Sequence, residues 1–110
     1  GEALVSIHLN GSTNHNKDGT KGLFGKKLKD QAFTEVIHKR LGNELRVPDL
    51  GVTNFASGVL LKSNMPATIQ ETVFISNTKE CNLLKDGAGN RQQEIAQSLH
   101  NGLFDWFASR

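Results

Sequence analysis

Two segments carry the side chains best suited to chemistry. VSIHLN, at positions 5 to 10, delivers His8, and MPATIQETVFISNTKE, at 65 to 80, delivers Glu71. An imidazole can hold a divalent metal ion, and a carboxylate beside it can take up and return the proton of an attacking water. Both segments read as apolar strands. Side chains alternate between the faces of a strand, so Val5, Ile7 and Leu9 share one face while Ser6 and His8 share the other. His8 stands toward the C-terminal end of its strand, where ligand sites gather in open α/β sheets. Spacing alone leaves other roles open. On spacing alone His8 reads more readily as a core or surface histidine without a metal, and Glu71 as a paired, rim-exposed or functional carboxylate.

Other candidates carry weaker signals. Glu35 and His38 form an E-x-x-H pair at helical spacing, a pattern of carboxylate metal sites, but no second copy accompanies it. His15 and Asp18 fall in a polar loop, and His100 borders a helix stripe. Asn10 precedes Gly11, so it can orient a substrate or simply close an Asn-Gly turn. Cys81 is the only cysteine, which excludes an internal disulfide and a cysteine-based zinc site. Lys21, Lys26, Lys27 and Lys29 make the densest basic patch, read as a solvated face because no aromatics alternate with them.

These residues need elements to position them. The 110-residue chain is long enough for one domain with a modest core, here residues 1–110, and too short for two. A net charge of +2 gives no strong basic excess, which argues against a nucleic-acid partner. No apolar run is long enough to span a membrane. The chain begins with Gly rather than Met, as a processed form or a piece of a longer chain would.

Leu4 to Asn10 reads as a strand, and the Gly/Asn/Ser-rich residues 11 to 22 as a loop. Residues 22 to 27 suggest a short second strand. Phe33, Val36, Ile37, Leu41 and Leu45 fall at helical spacing over residues 30 to 45, with Asp30 able to cap the start. Residues 46 to 54 read as a connection and 57 to 62 as a third strand. Ala67 to Phe74 reads as a fourth. Asn77 and Glu80 resemble a capping pair opening a helix over 78 to 85. Ile95, Ala96, Leu99, Leu103, Trp106 and Phe107 define a final helix over 90 to 108. Alternating strands and helices predict an α/β fold with a mostly parallel sheet flanked by helices.

The same residues carry a family resemblance. Ser6-Ile7-His8-Leu9-Asn10 resembles the "SIHAN" strand of the zinc-dependent N-acetylmuramoyl-L-alanine amidases of type 3. Residues 65 to 80 resemble that family's longer and more specific "MPAxLxExGFxSNxxE" segment. Leu50-Gly51-Val52 to Lys62, and Leu83-Leu84 with Ile95-Ala96 through Phe107, match its remaining patterns. The resemblance implies a peptidoglycan hydrolase that splits the amide between N-acetylmuramic acid and L-alanine. It implies zinc as cofactor, His8 as one zinc ligand, Glu71 as the catalytic acid/base and Asn10 as a substrate contact. It also implies that the N-terminal strands and helices of the family domain, with a first zinc histidine and a zinc glutamate, lie upstream of this chain and are absent from it. On that basis these residues alone are expected to be inactive. Peptidoglycan as partner implies a bacterial envelope, an extracellular setting or a phage lysis system. Val73 stands where the family usually has glycine, a departure that bears on fine substrate geometry. The alternative from another class is a non-catalytic wall-binding or assembly module that keeps the fold.

Overall fold

The computed structural model describes residues 2–110. Four strands, β1 (Leu4–Asn10), β2 (Thr20–Phe24), β3 (Asp49–Asn54) and β4 (Ala67–Phe74), form one sheet in the order β1-β4-β2-β3. The helices are α1 (Lys27–Glu44), α2 (Gly58–Lys62), α3 (Thr78–Lys85) and α4 (Asn90–Ala108).

The sheet is mixed. β1 runs parallel to β4 and β2 parallel to β3, but the central β2–β4 pair is antiparallel. Connections explain the pattern. α1 carries the chain back over the sheet between β2 and β3, which makes that pair parallel. No helix separates β1 from β2, so the loop over residues 11–19 reverses the chain at the C-terminal ends of β1 and β4.

Two apolar clusters sandwich the sheet. On one face, α1 and α4 pack Phe33, Ile37, Leu41, Leu45, Ile95, Leu99 and Trp106 against Val73. Phe33 meets Trp106 edge-on, with ring centroids 5.1 Å apart. On the other face, Leu23, Leu60, Ala67 and Ile69 gather with Leu4.

Close approach of α1 and α4 depends on Gly102. A Cβ there would lie 2.9 Å from the Ile37 Cα. Gly102→Ala is therefore expected to destabilise the chain by about 1–3 kcal/mol from overpacking, despite the roughly 1 kcal/mol that Ala gains in a helix. A lowered urea midpoint at unchanged slope is the readout.

Three boundaries differ from expectation. Residues 57 to 62 contain α2 rather than a strand. Only Leu60 is buried there, flanked by the exposed Val59 and Leu61, and a short apolar run does not tell a strand from a helical turn. Leu60 sits so close to the β2–α1 turn that a Cβ on Gly25 would meet its Cβ at 2.8 Å. Residues 46 to 54, expected as a connection, contain β3. This strand is polar and mostly exposed, so the apolar alternation that marks a strand is missing. Finally, β2 lies at Thr20–Phe24 rather than 22 to 27, and α1 begins at Lys27.

Asp30 therefore sits in the first turn of α1, fully buried, and not at the cap. Its Oδ2 accepts the Lys26 backbone N–H (2.9 Å), and its Oδ1 accepts the Ala67 N–H (3.0 Å), joining α1 to the start of β4. His38 joins α1 to β3, donating from Nε2 to Asp49 Oδ1 at 2.5 Å. That bond, helped by the Gly51 N–H, holds the Asp49 carboxyl below the usual carboxylate range. A depressed folded-state value contributes stability above the unfolded value, about 3.9, and that contribution is lost as pH falls through the folded value. Asp49 is largely exposed, so the contribution is expected below about 1 kcal/mol. Asp49→Asn should lower thermal stability slightly at neutral pH and flatten the loss below about pH 4.

Candidate active site

His8 and Glu71 occupy directly paired positions on neighbouring strands. The parallel register runs Leu4–Ala67, Ser6–Ile69, His8–Glu71. Adjacent strands lie about 4.8 Å apart, and residues paired across a ladder point to the same face. Because Ala67 and Ile69 belong to the cluster opposite α1 and α4, His8 and Glu71 share that opposite face.

His8 is exposed, and its Nε2 lies 3.0 Å from Ser6 Oγ. Glu71 is half-buried. Its backbone carbonyl accepts the Thr20 hydroxyl, while its carboxylate has no hydrogen bond or ion pair among the described residues. The antiparallel register places Lys21 opposite Glu71 on β2. A row of imidazole, carboxylate and ammonium thus crosses three adjacent strands.

Beyond Glu71 the pairing slips. His8 pairs with Glu71, but Asn10 pairs with Phe74, so β4 holds one more residue than β1 across this stretch. Such a bulge redirects the side chains that follow. Val73 turns toward the helices and is fully buried in their core. Val73, which the resemblance sets against a glycine, thus fills core space next to Glu71.

Hydrogen bonds tie the loop over residues 11–19 to the end of β4. The Ser12 N–H donates to Ser76 Oγ (2.9 Å), Asn77 Nδ2 donates to the Lys17 carbonyl (3.3 Å), and the Thr78 N–H donates to the His15 carbonyl (3.3 Å). Asn77 also caps α3 by accepting the Glu80 N–H at 2.9 Å, the capping pair expected from sequence. Glu80 forms a buried two-pronged ion pair with Arg91 of α4, both contacts at 2.7 Å, and Arg91 Nη1 donates to the Leu45 carbonyl at the end of α1. Glu80 keeps the Arg91 guanidinium firmly protonated.

The remaining sequence candidates lie elsewhere. His38 pairs with Asp49, and Glu35 bonds Gln31, so the E-x-x-H pair divides between two structural contacts. His15 lines a cavity of about 600 Å³ beside α3, and Asp18 one of about 360 Å³ with Glu80 and Arg91; neither cavity includes His8 or Glu71. His100 borders Leu103, Phe104 and Phe107 on α4. Asn10 stays near the site, and its Oδ1 accepts the Gly11 N–H at 2.8 Å, the contact of an Asn-Gly turn. Among the described residues no three potential metal ligands converge. The sequence does not single out Lys17 or Lys21. Lys21 read as part of a solvated patch, and only the strand order places it beside Glu71.

In fold, the chain matches the catalytic domains of peptidoglycan amidases. It superimposes on the catalytic domain of CwlV, an N-acetylmuramoyl-L-alanine amidase from Bacillus (Paenibacillus) polymyxa var. colistinus, with a TM-score of 0.87 and 28% identity. It superimposes on an N-acetylmuramoyl-L-alanine amidase from Clostridium difficile 630 with a TM-score of 0.86 and 26% identity. Each match covers 98% of this chain and 59% of the solved one.

The chain belongs to the N-acetylmuramoyl-L-alanine amidase family, whose model matches residues 1–105. Among curated relatives, LytC of Bacillus subtilis is 26% identical over 109 residues, covering 96% of this chain and 22% of LytC. The uncharacterized YqiI of the same organism is 27% identical, with 52% of its length covered. The chain therefore spans about a fifth to a half of these relatives.

Proposed function

We propose that this chain contributes part of the active site of a peptidoglycan hydrolase, one that cleaves the amide between N-acetylmuramic acid and L-alanine. The observation that carries this reading is the register pairing of His8 with Glu71 on one sheet face.

The residues present fit a share of a zinc site. His8 offers an exposed imidazole, and the paired Glu71 carboxylate is not engaged by another side chain among the described residues. A catalytic zinc takes about three protein ligands, so His8 would be one of them. By the family resemblance, the others belong to polypeptide upstream of β1. When bound, zinc lowers the pKa of a water to about 7 and polarises the scissile carbonyl.

Glu71 supplies the proton chemistry. Its carboxylate takes a proton from the attacking water as the new C–O bond forms. It then delivers that proton to the alanine nitrogen as the C–N bond breaks, leaving a lactyl carboxylate and a free amine. Asn10, two residues beyond His8, contacts the substrate through its side-chain NH₂ while its Oδ1 stays on the Gly11 amide. A peptidoglycan substrate places the protein in the bacterial envelope, outside the cell, or in a phage lysis system. Among the described residues no helix is long and apolar enough to cross a membrane.

The test is a chimera in which the preceding part of the Paenibacillus domain is fused ahead of residue 1. Treated peptidoglycan should gain alanine N-termini, and a chelator should abolish the gain until zinc returns. Muropeptide binding without cleavage, indifferent to zinc, would instead support a non-catalytic wall-binding module. The 110 residues alone should not turn over; zinc-dependent turnover by them would overturn the ligand count.

Zinc binding by His8 can be followed directly. In an NMR titration of the chain, the His8 ring signals should shift at lower zinc than those of His15 and His100. His8→Ala should leave only the weaker surface response.

A further inference from the structure

A small cavity of about 220 Å³ opens at the C-terminal ends of β1 and β4. It is lined by Asn10, Ser12, Lys17, Lys21, Leu50 and Phe74, with Gly11 completing its wall. Phe74 pairs with Asn10 across the bulge, and Lys21 pairs with Glu71, so the cavity adjoins the His8–Glu71 pair.

Its chemistry is one-sided. The lining holds two lysines and no carboxylate. Neither Lys17 nor Lys21 forms an ion pair among the described residues, although Lys21 stands opposite Glu71 in the ladder. Nearby Asp18 accepts the Gly19 N–H and lines the separate cavity with Arg91. The Asn10 Oδ1 is occupied by the Gly11 N–H, which leaves its NH₂ as a donor. Leu50 and Phe74 add an apolar surface. The cavity therefore presents donors and positive charge beside an apolar wall. Its walls are fixed in place, because Ser12 and Lys17 are bonded to Ser76 and Asn77 at the end of β4.

We propose that this cavity is a subsite for a free carboxylate on the peptide stem of the substrate, bound by Lys17 and Lys21 with the Asn10 amide. The inference rests on the amidase reading and deepens it. In the intact substrate the lactyl carboxyl is tied up in the scissile amide and the sugars are uncharged. Free carboxylates therefore lie on the peptide side of the bond. Asn10 is two residues beyond His8, about 7 Å along the strand. An extended peptide advances about 3.5 Å per residue, so the subsite reaches the first or second residue past the scissile amide. The ammonium groups then orient the leaving peptide and select acidic stems over amidated ones.

The experiment compares N-acetylmuramoyl-L-alanyl peptides of equal length, one with free carboxylates and one fully amidated. Binding is followed by NMR shift changes of the backbone amides in wild type and in Lys17→Gln/Lys21→Gln. Lys17 is exposed and Lys21 half-buried, and retained spectral dispersion confirms that the variant folds. The acid form should bind about fivefold to tenfold tighter than the amide, with shifts centred on residues 10–12, 17 and 21. That preference should weaken as salt rises and fall within about twofold in the double variant. Equal binding of both forms by wild type, or a preference that survives in the variant, overturns the subsite and leaves the amidase reading intact. If neither peptide binds wild type at all, the subsite falls, and the amidase reading is decided separately by cleavage in the chimera.

Discussion

Arg91→Met should cost the chain about 3–5 kcal/mol of stability. Arg91 is 4% exposed and Glu80 2%, and the two meet through two contacts of 2.7 Å. Removing one partner leaves a buried charge with nothing to compensate it, which is costlier than the pair was stabilising. The substitution also removes the donor to the Leu45 carbonyl at the C-terminal end of α1. A domain of this size holds about 5–15 kcal/mol in total, so the loss is a large share. At about 4–8 °C per kcal/mol, melting should fall by about 12 °C or more. Glu80→Leu with Arg91→Met should recover much of the loss, because two apolar groups leave no unpaired charge. Thermal and urea unfolding of the single and double variants check this. A single-variant loss below about 1 kcal/mol would mean that water reaches the pair and that α3 and α4 are held together in some other way.

This ion pair shows where sequence stops being informative. Glu80 was visible as the capping partner of Asn77, and that local contact is present. Its second role depends on α4 lying across the end of α3, a tertiary fact with no periodic trace. The same division runs through the fold. β1, β4, most of α1 and α4 were legible because their apolar residues repeat with a strand or helix period, and α3 because a capping pair opens it. β3 was not, because an exposed, polar edge strand shows no alternation. α2 reads as a strand in the sequence because Val59, Leu60 and Leu61 are too few to reveal a period.

The site divides in the same way. His8 and Glu71 could be named from their residue types and the family pattern. Their pairing required β4 to insert beside β1, and parallel partners can lie far apart in sequence. Lys21 was hidden for a related reason. Its place beside Glu71 follows from an antiparallel β2, which in turn follows from a loop that reverses the chain without a helix. A cluster of lysines in sequence says nothing about which of them the sheet will turn toward a carboxylate.

Glu71→Gln separates chemistry from scaffolding at the centre of that row. Gln keeps the shape and polarity of Glu but cannot take up the proton of an attacking water. In the chimera, kcat for amide cleavage should fall by about 10²–10⁴-fold, the usual contribution of a positioned acid–base group. Muropeptide affinity should change by less than about threefold, because the subsite donors at Asn10, Lys17 and Lys21 are untouched. Stability should shift by less than about 0.5 kcal/mol, since the Glu71 carboxylate has no hydrogen bond or ion pair to lose among the described residues. The combination is diagnostic. A residue that served only to shape the sheet would lose stability and activity together, whereas a proton carrier loses turnover alone. Glu71→Asp offers a graded control, because it keeps the carboxylate but withdraws it by one methylene, and it should retain more activity than Gln if proton transfer is the role. Full activity in the Gln variant would remove Glu71 from the chemistry and leave its pairing with His8 as a structural feature of the β1–β4 ladder.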